Sequence, residues 1–169
     1  ENCIDSMRKA QNLNCAVNAA TGRELSYVLA PTAQRKDVVV IGGGPAGMAA
    51  ARVADLRGPR VTLLERQGRL GGSMLLASTV HAENEAFFQW LTQQVKDSSI
   101  DLRLGTEASA ELLFDLKPDA IVVATGARVA TPDIPGSDQP NVFSGAQLRR
   151  VMEGQATAAD FTFLPTPLR

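Results

Sequence analysis

The feature that most constrains the fold is the segment VVVIGGGPAGMAAARVA, residues 38–54, where a β-branched run leads into glycines and then into an alanine-rich stretch. The apolar run predicts a strand buried on both faces, and the uninterrupted stretch after the glycines predicts a helix. RVTLLER, residues 60–66, predicts the next strand. Strand, glycine turn, helix and strand in this order indicate a right-handed βαβ unit in a parallel sheet, and therefore an α/β, Rossmann-like fold.

The glycines of this turn fit the pattern G-x-G-x-x-G at Gly42, Gly44 and Gly47. The first permits a tight turn out of the strand, the second lets a pyrophosphate approach the backbone, and the third lets the helix pack close to the strand. The helix that begins near Pro45 and Ala46 points its unpaired N–H groups and the positive end of its dipole at the phosphates. This arrangement predicts a phosphate-binding turn.

An acidic residue, Glu65, stands at the end of the next predicted strand, eighteen residues after Gly47. A carboxylate there can accept both hydroxyls of an adenosine ribose, and it would repel a 2′-phosphate, so we do not expect NADP. The alternative interpretation is a structural glycine turn followed by a surface glutamate. The strand before the turn and the helix after it favour an ADP moiety as the ligand.

Three further segments extend the predicted domain. Residues 84–99 predict a helix with Phe87, Phe88 and Trp90 in the core, and residues 100–109 predict a third strand. DAIVVATGA, residues 119–127, is apolar on both faces and predicts a fourth, buried strand. Its end lies at the carboxyl edge of the sheet, where parallel sheets bind ligands. Taken alone, this end favours the alternative of an ordinary strand terminus.

The chain divides by composition into three parts. Residues 1–36 are an irregular leader with a short helix predicted at 7–14. Residues 37–154 are an incomplete dinucleotide-binding domain, with a short helix predicted at 144–154. Residues 155–169 carry little signal and are predicted to be a linker or a disordered tail.

Composition excludes several function classes. The chain is 44% hydrophobic and 21% charged with a net charge of −1, which is typical of a soluble globular protein and argues against nucleic-acid or membrane partners. Its polar start predicts no signal peptide, so we expect a cytoplasmic protein, and it lacks an initial Met, so we expect a fragment or a processed product. His81 is the single histidine, expected to be exposed. We assign no catalytic residue.

A second glycine pair, Gly71–Gly72, follows soon after Glu65. It allows another close approach of the backbone to a long cofactor. The alternative is an ordinary loop between a strand and a helix.

Taken together, VVVIGGGPAGMAAARVADLRG, VTLLERQGRLGG and IVVATGA…IPG resemble the two-dinucleotide-binding flavoproteins related to glutathione reductase. The resemblance covers about residues 37–136. The leader, NLNCAVNAATGRE…VLAPTAQRK, resembles the segment between the catalytic barrel and the flavin domain of the iron–sulfur relatives of old yellow enzyme. That family includes 2,4-dienoyl-CoA reductase, trimethylamine dehydrogenase and histamine dehydrogenase.

The resemblance implies a cluster and further domains. In that family four cysteines hold a [4Fe–4S] cluster, and Cys3 and Cys15 have the spacing of the third and fourth ligands. The first two would lie upstream of Glu1, so this chain alone cannot complete the cluster. Spacing alone would favour two reduced thiols. The FMN-binding (β/α)8 barrel and the NADH-binding domain would be further partners in the parent protein.

The resemblance also assigns FAD or ADP contacts to individual residues of this chain. The pyrophosphate would contact Gly42, Gly44, Pro45, Ala46 and Gly47. The adenosine would contact Glu65, Arg66 and Ala108. The path towards the ribityl chain would be lined by Leu70, Gly71 and Gly72, and the site would be closed by Ala124, Thr125 and Gly126.

Three functions remain open at this point. In the first, the chain is the FAD-binding portion of an oxidoreductase that passes electrons between NADH, FAD, the cluster and FMN. In the second, it is a structural ADP-binding module of an amine dehydrogenase-like enzyme. In the third, it is an independent NAD-binding protein, which the pair Gly71–Gly72 and the ATG strand end argue against. Whether the chain alone is an enzyme is left open.

Overall fold

A computed structural model describes residues 2–127, 130, 132–139, 141–152 and 154–157. The chain forms two compact units, Glu1–Thr125 and Gly126–Arg169. The strands are β1 (Asp37–Ile41), β2 (Arg60–Glu65), β3 (Asp101–Leu104) and β4 (Ala120–Val123). The helices are α1 (Asn2–Arg8), α2 (Pro45–Leu56), α3 (Ser73–Val80), α4 (Ala82–Lys96), α5 (Ala110–Leu116) and α6 (Gly145–Met152).

The four described strands form one parallel sheet in the order β3-β2-β1-β4. Val40 of β1 lies beside Leu63 of β2 and Val122 of β4, and Leu63 lies beside Leu102 of β3. The predicted α/β, Rossmann-like fold is therefore confirmed. The strand order places the carboxyl end of β1 between those of β2 and β4, where the first glycine turn begins.

The core lies between one face of this sheet and helices α2 and α4. Residues that alternate along β1 and β2 face these helices, as the period of two in a strand requires. The buried cluster consists of Val40, Met48, Ala51, Val61, Leu63, Leu70, Leu91, Val95 and Ile100. This packing fixes α2 against the sheet and so sets the direction of its N-terminus.

Two predictions of burial were wrong. Strand β4 is exposed, with Ile121 45%, Val122 36% and Val123 71% accessible, because it is the last strand of the described sheet and pairs on one side only. Trp90 is 44% accessible. Leu91 and Val95 of α4 face the core, and Trp90 precedes Leu91 by one residue, which turns its side chain about 100° away.

Two helices differ from the sequence prediction. Helix α1 covers Asn2–Arg8, whereas the sequence predicted a helix at 7–14. Helix α3, Ser73–Val80, was not predicted; it follows the second glycine pair and packs against α4. Its sequence, SMLLASTV, is apolar with no clear helical period, so only packing against α4 distinguishes it from a loop.

The second unit contains helix α6, which confirms the helix predicted at 144–154. Its first turn is held by a capping box, in which Ser144 Oγ accepts the Gln147 N–H at 3.2 Å and Gln147 Oε1 accepts the Ser144 N–H at 2.8 Å. Residues 158–169, most of the predicted tail, lie outside the described residues. None of the described helices has the length and apolar character needed to cross a membrane.

Candidate functional site

The first glycine turn leaves β1 at its carboxyl end. The Gly42 N–H donates to the Leu64 carbonyl at 2.8 Å, which ties the turn to β2. Gly42 has φ +109°, and a Cβ there would collide with the carbonyl oxygen of Ala124. A Cβ on Gly47 would collide with the carbonyl oxygen of Gly42. The protein's own backbone therefore demands glycine at both positions.

Gly44 differs from these two glycines. Its φ of −76° is accessible to any residue, and a Cβ built there meets no protein atom within 4 Å. Nothing in the described protein requires glycine at this position. It lies at the N-cap of α2, directly before Pro45 and Ala46, where the N–H groups of the first helical turn lack partners in the helix. A bare backbone beside open space at a helix N-terminus fits a pyrophosphate.

The second glycine pair packs against the first turn. The Gly71 N–H donates to the Gly43 carbonyl at 2.8 Å. Gly72 has φ +52°, and a Cβ there would lie 3.2 Å from the Cα of Gly44. The two glycine segments, distant in sequence, thus form one continuous backbone edge, in which Gly43 and Gly71 are buried and Gly44 and Gly72 are half-buried. An extended ligand could follow this edge beyond the α2 N-terminus.

Glu65 ends β2 and is only 7% accessible. Its Oε2 accepts the Gly43 N–H at 2.6 Å and its Oε1 accepts the Gln67 N–H at 2.8 Å. These charge-assisted hydrogen bonds compensate for the burial of the carboxylate. Each oxygen keeps a second lone pair, so the carboxylate can still accept ribose hydroxyls.

The loop after β3 is joined to the loop after β2. The Thr106 N–H donates to the Glu65 carbonyl at 2.8 Å, and the Gly105 N–H donates to the Gln67 carbonyl at 2.9 Å. Ala108 is half-buried two residues further along, and Arg66 is exposed. The structure therefore brings the predicted adenosine residues to one pair of linked loops.

The remaining predicted residues have different environments. Leu70 is buried, and its Cδ2 lies 2.7 Å from where a Cβ on Gly43 would be, so it supports the turn from the core. The Ala124 N–H donates to the Ile41 carbonyl at 2.8 Å, and its own carbonyl lies against the turn. Thr125 is exposed at the end of the first unit, and Gly126, with φ +80°, begins the second.

Sequence reasoning missed Gly43 and Gln67. Gly43 occupies a variable position of the motif, yet its N–H binds Glu65 and its carbonyl binds Gly71. A Cβ on Gly43 would lie 2.7 Å from Leu70 and 3.0 Å from Glu65. The run of three consecutive glycines was the available signal. No side-chain pattern pointed to Gln67, because only its backbone takes part.

The two cysteines lie in the leader, Cys3 in α1 and Cys15 in the coil after it, and both are half-buried free thiols. The N–H groups of Val17 and Asn18 donate to the Cys15 sulfur and lower the pKa of this thiol below its ordinary value. Such donors favour the thiolate, the form that binds metal. The described residues contain no group of three or more His, Cys, Asp or Glu residues that could hold a metal ion.

Comparison with known proteins agrees with this fold. Residues 36–159 match the pyridine nucleotide-disulphide oxidoreductase family. Bilirubin reductase of Mediterraneibacter gnavus is 41% identical over 143 residues, which cover 83% of this chain and 22% of that protein. The multifunctional alkene reductase/demethylase OYE of Caballeronia cordobensis is 32% identical over 153 residues, covering 88% of this chain and 23% of that protein.

Among solved structures, a 2-naphthoyl-CoA reductase in complex with 2-naphthoyl-CoA superimposes with a TM-score of 0.83 at 30% identity. The match covers 93% of this chain and 24% of that one. The chain thus spans about a quarter or less of these relatives. The resemblance to old-yellow-enzyme relatives is confirmed, and the chain belongs to the pyridine nucleotide-disulphide oxidoreductase family.

Proposed function

We propose that this chain is the FAD-binding portion of a multi-cofactor NADH:flavin oxidoreductase, in which electrons pass between NADH, FAD, a [4Fe–4S] cluster and FMN. The observation that carries this proposal is the contact of the second glycine pair with the first turn. Gly72 lies beside Gly44, so this backbone edge continues past the helix N-terminus. An ADP group alone has no need of this extension.

Within this proposal, each part of the site binds one part of the cofactor. Gly44 and the N-terminus of α2 hold the pyrophosphate, Glu65 accepts hydrogen bonds from the ribose, and Gly72 lines the path towards the flavin. FAD supplies the redox chemistry when it is bound. The residues of this chain bind and orient it, and we place the dinucleotide-binding domain at residues 37–154.

The proposal of a [4Fe–4S] cluster is based on the two cysteines of the leader. Cys15 is supplied with N–H donors that favour its thiolate, and its spacing from Cys3 fits two of four cluster ligands. We propose that the other two cysteines come from another part of the whole protein. The FMN-binding (β/α)8 barrel and the NADH-binding domain are also assigned there, because the chain spans only about a quarter or less of its relatives.

A structural ADP-binding module is the second candidate. It is compatible with one observation: the side chain with two hydrogen bonds into the glycine turns, Glu65, would contact only the ribose of the ADP half. FAD and ADP share this half of the molecule. In this alternative the same residues hold ADP and the nucleotide has no redox role.

Calorimetric titration of the purified chain with FAD, ADP and NADH separates these candidates. FAD binding more tightly than ADP supports the FAD-binding portion. Equal affinities for FAD and ADP would favour the structural module, and NADH binding most tightly would favour an independent NAD-binding protein. Failure of all three nucleotides to bind would contradict the assignment of a nucleotide site to this chain. Gly44→Ala serves as the control, because it blocks the backbone edge without a clash inside the protein.

A further inference from the structure

A second concave region lies away from the glycine turns. It is a groove of about 1050 Å³ between the leader, at residues 17–29, and helices α2 and α4. None of the residues assigned to the nucleotide site lines it. The volume lies slightly above the usual range for small-molecule sites, about 300–1,000 Å³.

Aromatic rings stand on both sides of this groove. Trp90 lines it from α4, is 44% accessible, and stacks with Phe87 at 5.9 Å between ring centroids. Tyr27 lines it from the leader and is 49% accessible. Val53 and Leu29 add aliphatic surface. Two opposed walls with exposed rings suit a planar aromatic ligand, since rings prefer stacked or edge-to-face contact with other rings.

Two positively charged side chains, Arg52 and Arg57, also line this groove. Arg52 lies over the Trp90 ring at 5.1 Å, and its Nε donates to Gln94 Oε1 at 3.3 Å. The Nε of Arg57 donates to the Ala30 carbonyl at 3.2 Å. Within the described part of the chain neither arginine takes part in an ion pair. Both partners are neutral acceptors, so each guanidinium keeps terminal donors for an anion.

The charges that line the groove favour an anionic occupant. Its lining contains two arginines and one acid, Glu83. A carboxylate or sulfonate matches the fork of donors on a guanidinium. Inorganic phosphate would not use the rings, and a purely apolar molecule would not use the arginines.

We propose that this groove is a second ligand site, specific for a planar aromatic molecule that carries a carboxylate or sulfonate. The aromatic body lies between Trp90 and Tyr27, and the anionic group binds Arg52 and Arg57. This site is separate from the proposed nucleotide site and does not depend on it.

The test uses 8-anilinonaphthalene-1-sulfonate as the probe, because Trp90 is the single tryptophan of the chain and reports contact by energy transfer. We expect saturable binding of one probe per chain. Arg52→Gln and Arg57→Gln each weaken it by about tenfold, the scale of a hydrogen bond to a charged group. The control Arg103→Gln, which changes an arginine of β3 that pairs with Asp101, leaves the affinity unchanged. The neutral analogue N-phenyl-1-naphthylamine binds about tenfold more weakly than the sulfonate.

Several results would overturn the proposal. Equal binding of the neutral analogue, or an unchanged affinity in both groove variants, would remove the role of the arginines. Displacement of the probe by ADP would place it in the nucleotide site. Self-association of the chain that blocks the probe would assign the groove to contact between copies. Loss of probe binding in a longer protein that contains this chain would assign it to contact with another domain.

Discussion

The Glu65 carboxylate accepts the Gly43 N–H at 2.6 Å and so joins the end of β2 to the glycine turn that follows β1. The same carboxylate accepts the Gln67 N–H. The acid predicted to bind a ribose therefore also holds the shape of the turn. Its two roles can be separated by experiment, because stability and affinity are measured independently.

Glu65→Ala should lower both stability and nucleotide affinity. It leaves the buried Gly43 N–H without its acceptor, which costs about 1–3 kcal/mol of unfolding free energy. It also removes hydrogen bonds to the ribose, and we expect ADP affinity to fall by about 1.5–3 kcal/mol. Urea unfolding and calorimetry measure the two effects. The control is Glu85→Ala, an exposed acid of α4 that bonds only to Gln89 within the described residues.

An unfolding free energy of Glu65→Ala equal to that of the wild type would show that the Gly43 N–H finds another partner, such as water. An unchanged affinity for ADP in that variant would remove Glu65 from the ribose role. The first result contradicts only the structural role, and the second contradicts only the binding role.

Gly44→Ala should lower the affinity for ADP, whereas Gly47→Ala should lower the stability of the fold. A methyl group on Gly44 meets no protein atom, so the fold is retained while ADP binding weakens by about 1–3 kcal/mol, the usual cost of overpacking. A methyl group on Gly47 would collide with the Gly42 carbonyl, so this variant should lose stability. Thermal unfolding and calorimetry on both variants check the prediction. Wild-type affinity in Gly44→Ala would refute the placement of the pyrophosphate.

The βαβ unit could be predicted from sequence because its signals are local. The motif glycines follow one another closely, Pro45 marks the helix start, and Gly58, with φ +97°, stands where α2 stops. Each of these residues determines the backbone conformation of its own short segment. That is why the strand and helix bounds agree to within a few residues.

Contacts between distant segments could not be predicted in this way. The hydrogen bond from Gly71 to Gly43 joins two turns whose meeting depends on the packing of α3 and α4. Burial of Trp90 and of β4 was predicted from hydrophobic character. Accessibility, however, depends on which elements cover a side chain, and an apolar residue on an edge strand has the same sequence signature as one in the centre.

Asp37 and Arg60 should give the chain a pH-dependent stability at the amino ends of β1 and β2. Arg60 donates two hydrogen bonds of 2.7 Å to the Asp37 carboxylate and lowers the pKa of this carboxyl below its ordinary value. A lowered pKa in the folded state adds stability above the unfolded pKa, about 3.9. That stability is lost as the pH falls through the folded pKa.

The measurement is the unfolding free energy of the wild type and of Asp37→Asn between pH 7 and pH 2. The difference between them should be largest near neutral pH and should shrink below about pH 4. Arg60→Gln should produce the same loss, and the double variant should lose little more than either single one. A wild type and an Asp37→Asn variant with parallel pH profiles would rule out this linkage.

Val123→Ala and Val40→Ala compare the same substitution at two sites of the sheet. Val40 is fully buried between the sheet and α2, whereas Val123 on β4 is 71% accessible. Removal of two buried methyl groups costs about 2 kcal/mol with the cavity included, so Val40→Ala should lose about this much. Val123→Ala should change the unfolding free energy by less than about 0.5 kcal/mol, as surface substitutions do.

Urea unfolding at two protein concentrations provides the measurement. A large loss at Val123 that depends on concentration would mean that another copy of the chain covers β4 in solution, and a large loss at both concentrations would mean that β4 is covered within the chain itself.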